Sequence, residues 1–115
     1  MVVTPETLIG KMGRTDPESE FLIMRLGPDA IDVLICLREM GPLDRRRLAD
    51  TTASIYGVDP LDFPNVVHKC KSYGLVEPMR RNTGYWLDLT KKGLLFLEYY
   101  QIRLSAMLKQ KASKT

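Results

Sequence analysis

The sequence predicts a single, mainly helical domain that carries one small β-hairpin. Apolar residues recur every three or four positions between Pro28 and Met40 and again after Thr90, the spacing that buries one face of a helix. Only the stretch LVEPMRRNTGYWLDL is typical of two strands, because turn residues separate two short runs there. A chain of 115 residues has room for one core, so these elements should belong to one domain.

The first 27 residues predict an N-terminal helical extension. Thr4 and Asp16 each precede a proline, an arrangement in which the side chain caps a helix and proline fills its first turn. Gly13 and Gly27 fall where a left-handed residue would end each helix. We expect two short helices, over residues 5–12 and 17–26, that form a layer outside the core.

Two further helices are expected before residue 57. The run from Pro28 to Met40 has helical spacing, and a Gly-Pro pair ends it because proline cannot continue a helix. Asp44 then suits the N-cap of a second helix, where its carboxylate accepts from backbone N–H groups. Leu48 and Ile55 of that helix are predicted to face inward.

A third helix follows in DPLDFPNVVHKCKSYG. Asp59 is the predicted N-cap, Pro60 suits the first helical position, and Gly74 ends the helix. Pro64 removes a backbone donor and crowds the preceding turn, so the regular helix begins at either proline. Its apolar stripe is Phe63, Val66, Val67, Cys70 and Tyr73.

The hairpin and the last helix complete the predicted elements. Two strands surround turn residues at 82–84, and Pro78 restricts the first strand to an edge of the sheet. Thr90 starts a helix that extends to about residue 110, followed by a basic tail at 111–115. One face of the second strand is predicted to hold Tyr85, Leu87 and Leu89.

Composition places the chain among ordinary globular proteins. Hydrophobic residues make up 44% and charged residues 27%, values that indicate neither disorder nor a membrane protein. The apolar runs fall short of the ~20 residues that a membrane helix needs, and the start lacks the pattern of a signal peptide. We therefore expect a cytoplasmic protein with no membrane partner.

The net charge of +3 is unevenly distributed along the chain. Residues 1–62 hold 7 Lys/Arg and 11 Asp/Glu, a net charge of −4. Residues 63–115 hold 10 and 3, a net charge of +7. A partner that is attracted by positive charge should therefore meet the second half.

The sequence offers little for catalysis or metal binding. His68 is the only histidine, lysines are its near neighbours, and no second ligand at metal spacing accompanies it. Cys36 and Cys70 fall within helical apolar patterns, so we interpret both as reduced core residues. The chain has no glycine-rich phosphate loop and no credible set of Ser, His and acid. The prediction is a protein that is not an enzyme and needs no cofactor or metal.

Three helices, a two-stranded hairpin and a further helix follow one another in the order of a winged helix-turn-helix. CKSYGLVEP resembles the end of a recognition helix entering the first wing strand, and YWLDLTKKG resembles the second wing strand before a Leu-Thr-x-x-Gly helix start. Such pairs recur in archaeal and bacterial regulators of the MarR and PadR type. The resemblance covers residues 28–108 and implies a winged helix-turn-helix domain at 28–110, with extra N-terminal helices and a long C-terminal helix.

The resemblance implies that the third helix lies in a DNA major groove. An asparagine amide bonds to adenine N6 and N7, so Asn65 is the predicted base reader, and Lys69 is a predicted phosphate contact. Asp62 either caps the helix or accepts from a cytosine amino group, and we favour capping. The face opposite the apolar stripe offers Asn65, His68, Lys69 and Ser72.

Arginines at two other places are predicted to meet phosphates. Arg80 and Arg81 lie at the hairpin tip, which such a domain lays against an adjacent groove or the DNA backbone. Arg45, Arg46 and Arg47 occupy the first turn of the second helix, where N–H groups and positive side chains can hold phosphate oxygens. They oppose the helix dipole, so a compensating contact is expected. The alternative is that both groups are solvated surface.

The last helix predicts a homodimer. Leu97, Gln101, Leu104 and Leu108 follow steps of three and four, the period at which two helices pack as a coiled coil. A second apolar stripe, Leu95, Tyr99 and Ile102, lies on another face, so one stripe can cover the core while the other meets a partner chain. The alternative is that the N-terminal helices cover the second stripe.

These inferences predict a dimeric protein that binds double-stranded DNA in a sequence-specific way, as a transcriptional regulator. The alternative is a winged helix that serves as a protein-interaction module within a larger assembly. In that case the acidic first half and Trp86 would matter more than the arginines. Binding to duplex DNA at two salt concentrations separates the two.

Overall fold

Four helices and a three-stranded antiparallel sheet make up residues 16–81 and 84–113, the part of the chain that the computed structural model describes. The predicted helix at 5–12 and the turn residues Asn82 and Thr83 lie outside the described residues. In chain order the elements are α1 Pro17–Met40, β1 Leu43–Asp44, α2 Arg45–Tyr56, α3 Phe63–Ser72, β2 Val76–Arg81, β3 Gly84–Leu89 and α4 Lys91–Ser113.

Helix α1 consists of two helical segments that meet at Gly27, in agreement with the two helices predicted before and after this glycine. Asp16 caps it as expected, accepting from the backbone N of Glu18 at 3.2 Å. At Gly27 the backbone has φ 79° and ψ 169°, so the helix kinks there before it continues. The first segment contributes Leu22 and Leu26 to the core. The expectation that it forms a layer outside the core was therefore wrong.

The sheet has the strand order β1-β3-β2. Pro78 lies on the edge strand β2, as its missing N–H requires. The sequence prediction missed β1, whose two residues pair with Leu87 and Trp86 of β3. A two-residue strand is too short to show alternation, so no sequence pattern marks it.

The core lies between the helices and one face of the sheet. Leu48 is fully buried, as predicted, but Ile55 is 64% exposed, so its predicted inward position was wrong. The inward row of α2 advances in steps of four, from Leu48 through Thr52 to the half-buried Tyr56, which turns Ile55 outward. The hydroxyl of Thr52 donates to the carbonyl of Leu48 at 2.8 Å, which satisfies this buried polar group.

Helix α4 begins as predicted and ends later. The Thr90 hydroxyl accepts from the backbone N of Gly93 at 3.0 Å, which makes Thr90 its cap. The helix continues to Ser113, past the expected end at residue 110 and into the segment predicted as a basic tail. Within residues 16–81 and 84–113, no helix is long and apolar enough to cross a membrane.

A polar network holds α4 against α1. The hydroxyl of Tyr99 donates to Oε1 of Glu20 at 2.7 Å, and Nε of Arg103 donates to the same oxygen at 2.7 Å. Burial raises the pKa of Tyr99, and the hydrogen bond to Glu20 adds to this effect. The N-terminal helix therefore covers Tyr99 of the second apolar stripe, which meets in part the alternative left open by the sequence, while Leu95 of the same stripe is exposed.

Candidate nucleic-acid interface

A tight turn leads into α3. The Asp59 carbonyl accepts from the backbone N of Asp62 at 2.9 Å and of Phe63 at 3.1 Å, and its carboxylate accepts from the N of Leu61 at 2.9 Å. Pro64 has no N–H to continue this pattern, and the regular helix starts at Phe63. Asp62 occupies the N-cap position without any side-chain cap bond, so the capping role favoured for it was wrong.

Helix α3 separates into a buried and an exposed face. Phe63, Val67 and Cys70 point into the core, and their burial fixes the rotation of the helix about its axis. The four residues predicted for DNA contact, Asn65, His68, Lys69 and Ser72, are all exposed. The hydroxyl of Ser72 donates to the carbonyl of His68 at 2.8 Å, which leaves the hydroxyl oxygen free to accept.

Lys69 lies to one side of this exposed face. Its Nζ donates to the carbonyl of Leu26 at 3.4 Å, across a cleft of about 250 Å³ that Asn65 and Asp62 also line. The kink at Gly27 exposes the carbonyl end of the first half of α1, and a lysine there offsets its partial negative charge. Lys69 therefore has a structural contact that a phosphate would have to replace.

Lys71 is the residue of this surface that the sequence prediction missed. Its Nζ hydrogen-bonds the hydroxyl of Tyr85, which links the last turn of α3 to strand β3. The side chain of Lys71 is half-buried, whereas Tyr85 is exposed. The two residues are 14 positions apart and meet only when the hairpin folds back, so no local pattern could have indicated their contact.

The sheet register brings two of the predicted arginines close to Tyr85. Arg80 pairs directly with Tyr85 across β2 and β3. On the other side of β3, Asp44 pairs with Trp86, so the next residue, Arg45, begins α2 at the level of Tyr85. The backbones of Arg45 and Arg80 are therefore two strand spacings apart, a distance of ~10 Å. We call Arg45, Lys71 and Arg80 the basic cluster. The backbone of Arg81 pairs with that of Gly84 in the β2–β3 register.

The first turn of α2 combines an acidic cap with three arginines. The carboxylate of Asp44 accepts from the backbone N of Arg47 at 2.9 Å, as predicted for the N-cap. Its negative charge lies at the positive end of the helix dipole, where it offsets the unfavourable positive side chains of the first turn. It also occupies one of the N–H groups proposed for phosphate, so the side chains of Arg46 and Arg47, both exposed, remain the available groups.

The residues predicted for a dimer contact divide into two groups. Leu97 is fully buried in the core of its own chain, so its place in the predicted interface was wrong. Gln101 is exposed and accepts from Nη1 of Arg38 at 3.1 Å. Leu104 and Leu108 are exposed and continue the row of Leu97. Ala106, on another face of α4, is still buried, so the row of Leu97 passes from core to surface while the rest of the chain continues to cover another face of the helix.

The two cysteines are free and buried, as expected of reduced core residues. Burial raises the pKa of Cys70 to about 12, so its thiol stays protonated and a poor nucleophile at neutral pH. Among the described residues, no three His, Cys, Asp or Glu side chains lie close enough to hold a metal ion.

Comparison with known proteins finds similarity in structure alone. No protein-family model and no curated protein matches the chain. Among solved structures, Rv1404 from Mycobacterium tuberculosis has a TM-score of 0.63 at 16% identity, covering 95% of this chain and 67% of its own. The transcriptional regulator Tm0710 from Thermotoga maritima has a TM-score of 0.63 at 19% identity, covering 84% and 69%. The oxidised form of MarR from E. coli has a TM-score of 0.63 at 18% identity, covering 96% of this chain and 72% of its own.

These likenesses agree with the element order derived from the sequence. The matched structures cover nearly the whole chain, including the N-terminal half of α1 that the sequence resemblance had left out. At such low identity they concern the fold. The chain therefore has the winged helix-turn-helix fold that these transcriptional regulators share, in which α3 is the third helix of the motif and β2–β3 form the wing hairpin.

Proposed function

We propose that this chain binds double-stranded DNA in a sequence-specific way, as a homodimeric transcriptional regulator and not as an enzyme. The observation that carries the proposal is the bond from Lys71 to Tyr85, which ties the recognition helix to the wing. This contact supports a single DNA-facing surface made of the exposed polar face of α3 and the basic cluster. A regulator of this kind works where DNA is, so the cytoplasmic location is part of the proposal.

The exposed face of α3 supports a major-groove contact. The groove of B-DNA admits one helix, and the residues in its N-terminal part meet the base edges. Asn65 lies in the first turn of α3, where a side-chain amide suits adenine. Lys69 is bonded to the Leu26 carbonyl and remains a weaker candidate for phosphate than the wing.

The basic cluster supports phosphate contacts beside that groove. Arg80 is exposed on the wing and Arg45 starts α2 on the other side of β3. Positive residues whose backbones lie ~10 Å apart, on both sides of β3, suit a rigid polyanion. Such contacts would fix the orientation of the protein on the duplex without reading its sequence.

The exposed end of α4 supports the homodimer. Leu104, Met107 and Leu108 are between 43% and 58% exposed near its C-terminal end. Pairing of this end with its copy would cover all three in a symmetric contact. The two recognition helices of a dimer would then reach two half-sites of one duplex.

Binding to a pool of random duplex DNA at two salt concentrations tests the proposal. We expect binding that weakens steeply with salt, because lysines and arginines release counterions from phosphates. Selection from the same pool should enrich one site, and Asn65→Ala should lose ~1–3 kcal/mol of discrimination at one base position. Absence of binding at low salt would refute the proposal and favour the protein-interaction module.

A further inference from the structure

Leu61 has the most exposed large apolar side chain in the part of the chain that the structure describes. Its exposed fraction is 85%, although it lies at the entry to the recognition helix. Its sequence neighbours Pro60 and Asp62 are exposed as well. Exposed leucines are common on proteins. What distinguishes Leu61 is its position relative to the face of α3.

The position of Leu61 is firmly held. Its backbone N donates to the carboxylate of Asp59 at 2.9 Å. The Asp59 carbonyl accepts from the N of Asp62 and of Phe63, which closes a turn around Leu61 on both sides. The bond from Phe63 spans four residues, as in an α-helix, so the turn has nearly the pitch of the helix that follows.

Leu61 consequently extends the exposed row of α3. Leu61, Asn65, His68 and Ser72 follow one another in steps of four, three and four, and all four are exposed. Steps of three and four keep side chains on one face of a helix. The row that carries the amide of Asn65 therefore begins with an apolar group.

We infer that Leu61 reads thymine by packing against its C5-methyl group in the major groove, which rests on the DNA binding proposed above. Of the four bases, thymine is the one that presents a methyl group on that edge, and apolar side chains are its usual contacts. Four residues of helix advance ~6 Å, about two base-pair steps of ~3.4 Å. The thymine lies within two base pairs of the adenine bonded by Asn65.

Two other occupants fit the surroundings of Leu61 less well. Asp59 lies two residues before Leu61 and Asp62 directly after it. Their carboxylates repel phosphates, so the Leu61 side chain suits base edges better than the DNA backbone. A protein partner would need an interface of ~800 Å² on each side with an apolar centre. One leucine among prolines and aspartates does not supply such a centre, whereas a methyl group is small enough for it.

Replacement of thymine by deoxyuracil removes this methyl group and nothing else. In the duplex selected by the wild-type protein, each thymine is replaced singly, and affinities are measured for the wild type and Leu61→Ala. We expect one replacement to weaken wild-type binding about fourfold, the value of one methyl-sized group. Leu61→Ala should bind the unmodified duplex more weakly by a similar factor and should not respond to that replacement.

Ile55→Ala is the matched control, because Ile55 is another exposed apolar side chain and lies on α2. It should respond to deoxyuracil as the wild type does. The inference is overturned if no replacement weakens wild-type binding, or if Leu61→Ala keeps the full response. In both cases DNA binding, and with it the proposed function, would stand. A wild-type protein that binds no duplex would refute both.

Discussion

A Cβ atom on Gly93 would lie 2.2 Å from the carbonyl oxygen of Leu75. That oxygen also accepts from the backbone N of Thr90 at 3.0 Å, so the first turn of α4 rests on the residue that leads into β2. The hydroxyl of Thr90 donates to the carbonyl of Gly74 at 2.6 Å. The Leu-Thr-x-x-Gly stretch therefore has a physical meaning, with threonine as cap and glycine for close approach.

Gly93→Ala should destabilise the protein despite the better helix propensity of alanine. Relief of a contact this short requires a backbone shift, and overpacking of this kind costs ~1–3 kcal/mol. Helix propensity alone would add ~1 kcal/mol of stability, so the sign of the change distinguishes the two effects. Urea unfolding measures it, with Ser105→Ala on the exposed side of α4 as control. An unchanged or raised midpoint for Gly93→Ala would contradict the close contact.

The sequence predicted the elements that have strong local signals. Thr90 and Pro78 took the cap and edge positions expected from their hydrogen-bonding chemistry. Strand β1 was missed because nothing local marks it. Strand β1 exists because Leu43 and Asp44 meet β3 more than 40 residues later in the chain. The break at Gly27 was marked locally, because this glycine has the positive φ expected at the end of the first helix, but the sequence did not show that both segments of α1 pack on the same core.

For the candidate site, the sequence predicted the exposed face of α3 but not the contact that joins this helix to the wing. Helical periodicity placed the face of Asn65 and His68 correctly, since the buried stripe opposite fixes it. The contact of Lys71 with Tyr85 depends on how the wing folds back, which periodicity does not contain. Leu97 was misplaced because one heptad row can run from a core to a surface, and sequence alone does not mark which face of α4 is covered at each turn.

Asp32→Asn should stabilise the protein at neutral pH. Burial raises the pKa of Asp32, and the like charge of Asp29 one turn earlier raises it further. A raised folded-state pKa means that ionised Asp32 opposes folding, so stability falls as pH rises from the unfolded value of ~4 through the folded value. The amide should gain ~0.2–0.5 kcal/mol at pH 7, the usual size of a like-charge pair on a helix.

Urea unfolding at two pH values measures this effect. The gain at pH 7 should disappear near pH 3, where Asp32 is protonated in both states. Asp50→Asn is the matched control, because Asp50 is an exposed helical aspartate that follows Arg46 and Arg47 by four and three residues on α2 instead of another aspartate. A loss of stability for Asp32→Asn at pH 7 would show that the carboxylate has a favourable partner.

Leu104→Asp should convert a dimer into a monomer. A carboxylate in the centre of the proposed α4 contact would be buried without a partner, at a cost of several kcal/mol. Sedimentation equilibrium at micromolar concentrations measures the mass. Leu95→Asp is the matched control, since Leu95 is also exposed on α4 but lies outside the row of Leu104 and Leu108.

Circular dichroism of both variants establishes that they remain folded. A monomeric mass for the wild-type protein, independent of concentration, would exclude the homodimer. Equal effects of Leu95→Asp and Leu104→Asp would move the contact to another face of α4.

Arg80→Ala should weaken DNA binding equally for all sequences and reduce its salt dependence. Arg80 pairs with Tyr85 on the wing, where its exposed side chain contributes little to folding. Each duplex phosphate contact contributes ~0.9 to the slope of log K against log salt, so its loss should reduce the slope by that amount. With Arg81→Ala added, the expected reduction is ~1.8.

The control for the wing is Lys109→Ala, which removes an exposed positive charge from α4, away from the hairpin. It lowers the net charge by the same amount as Arg80→Ala, so a general charge effect would act on both alike. We expect the slope of Lys109→Ala to match that of the wild type, because non-contacting charges release no phosphate counterions. If the Arg80 and Arg81 double variant bound DNA with unchanged affinity and slope, the wing would not contact DNA, and a protein partner for this surface would become the better explanation.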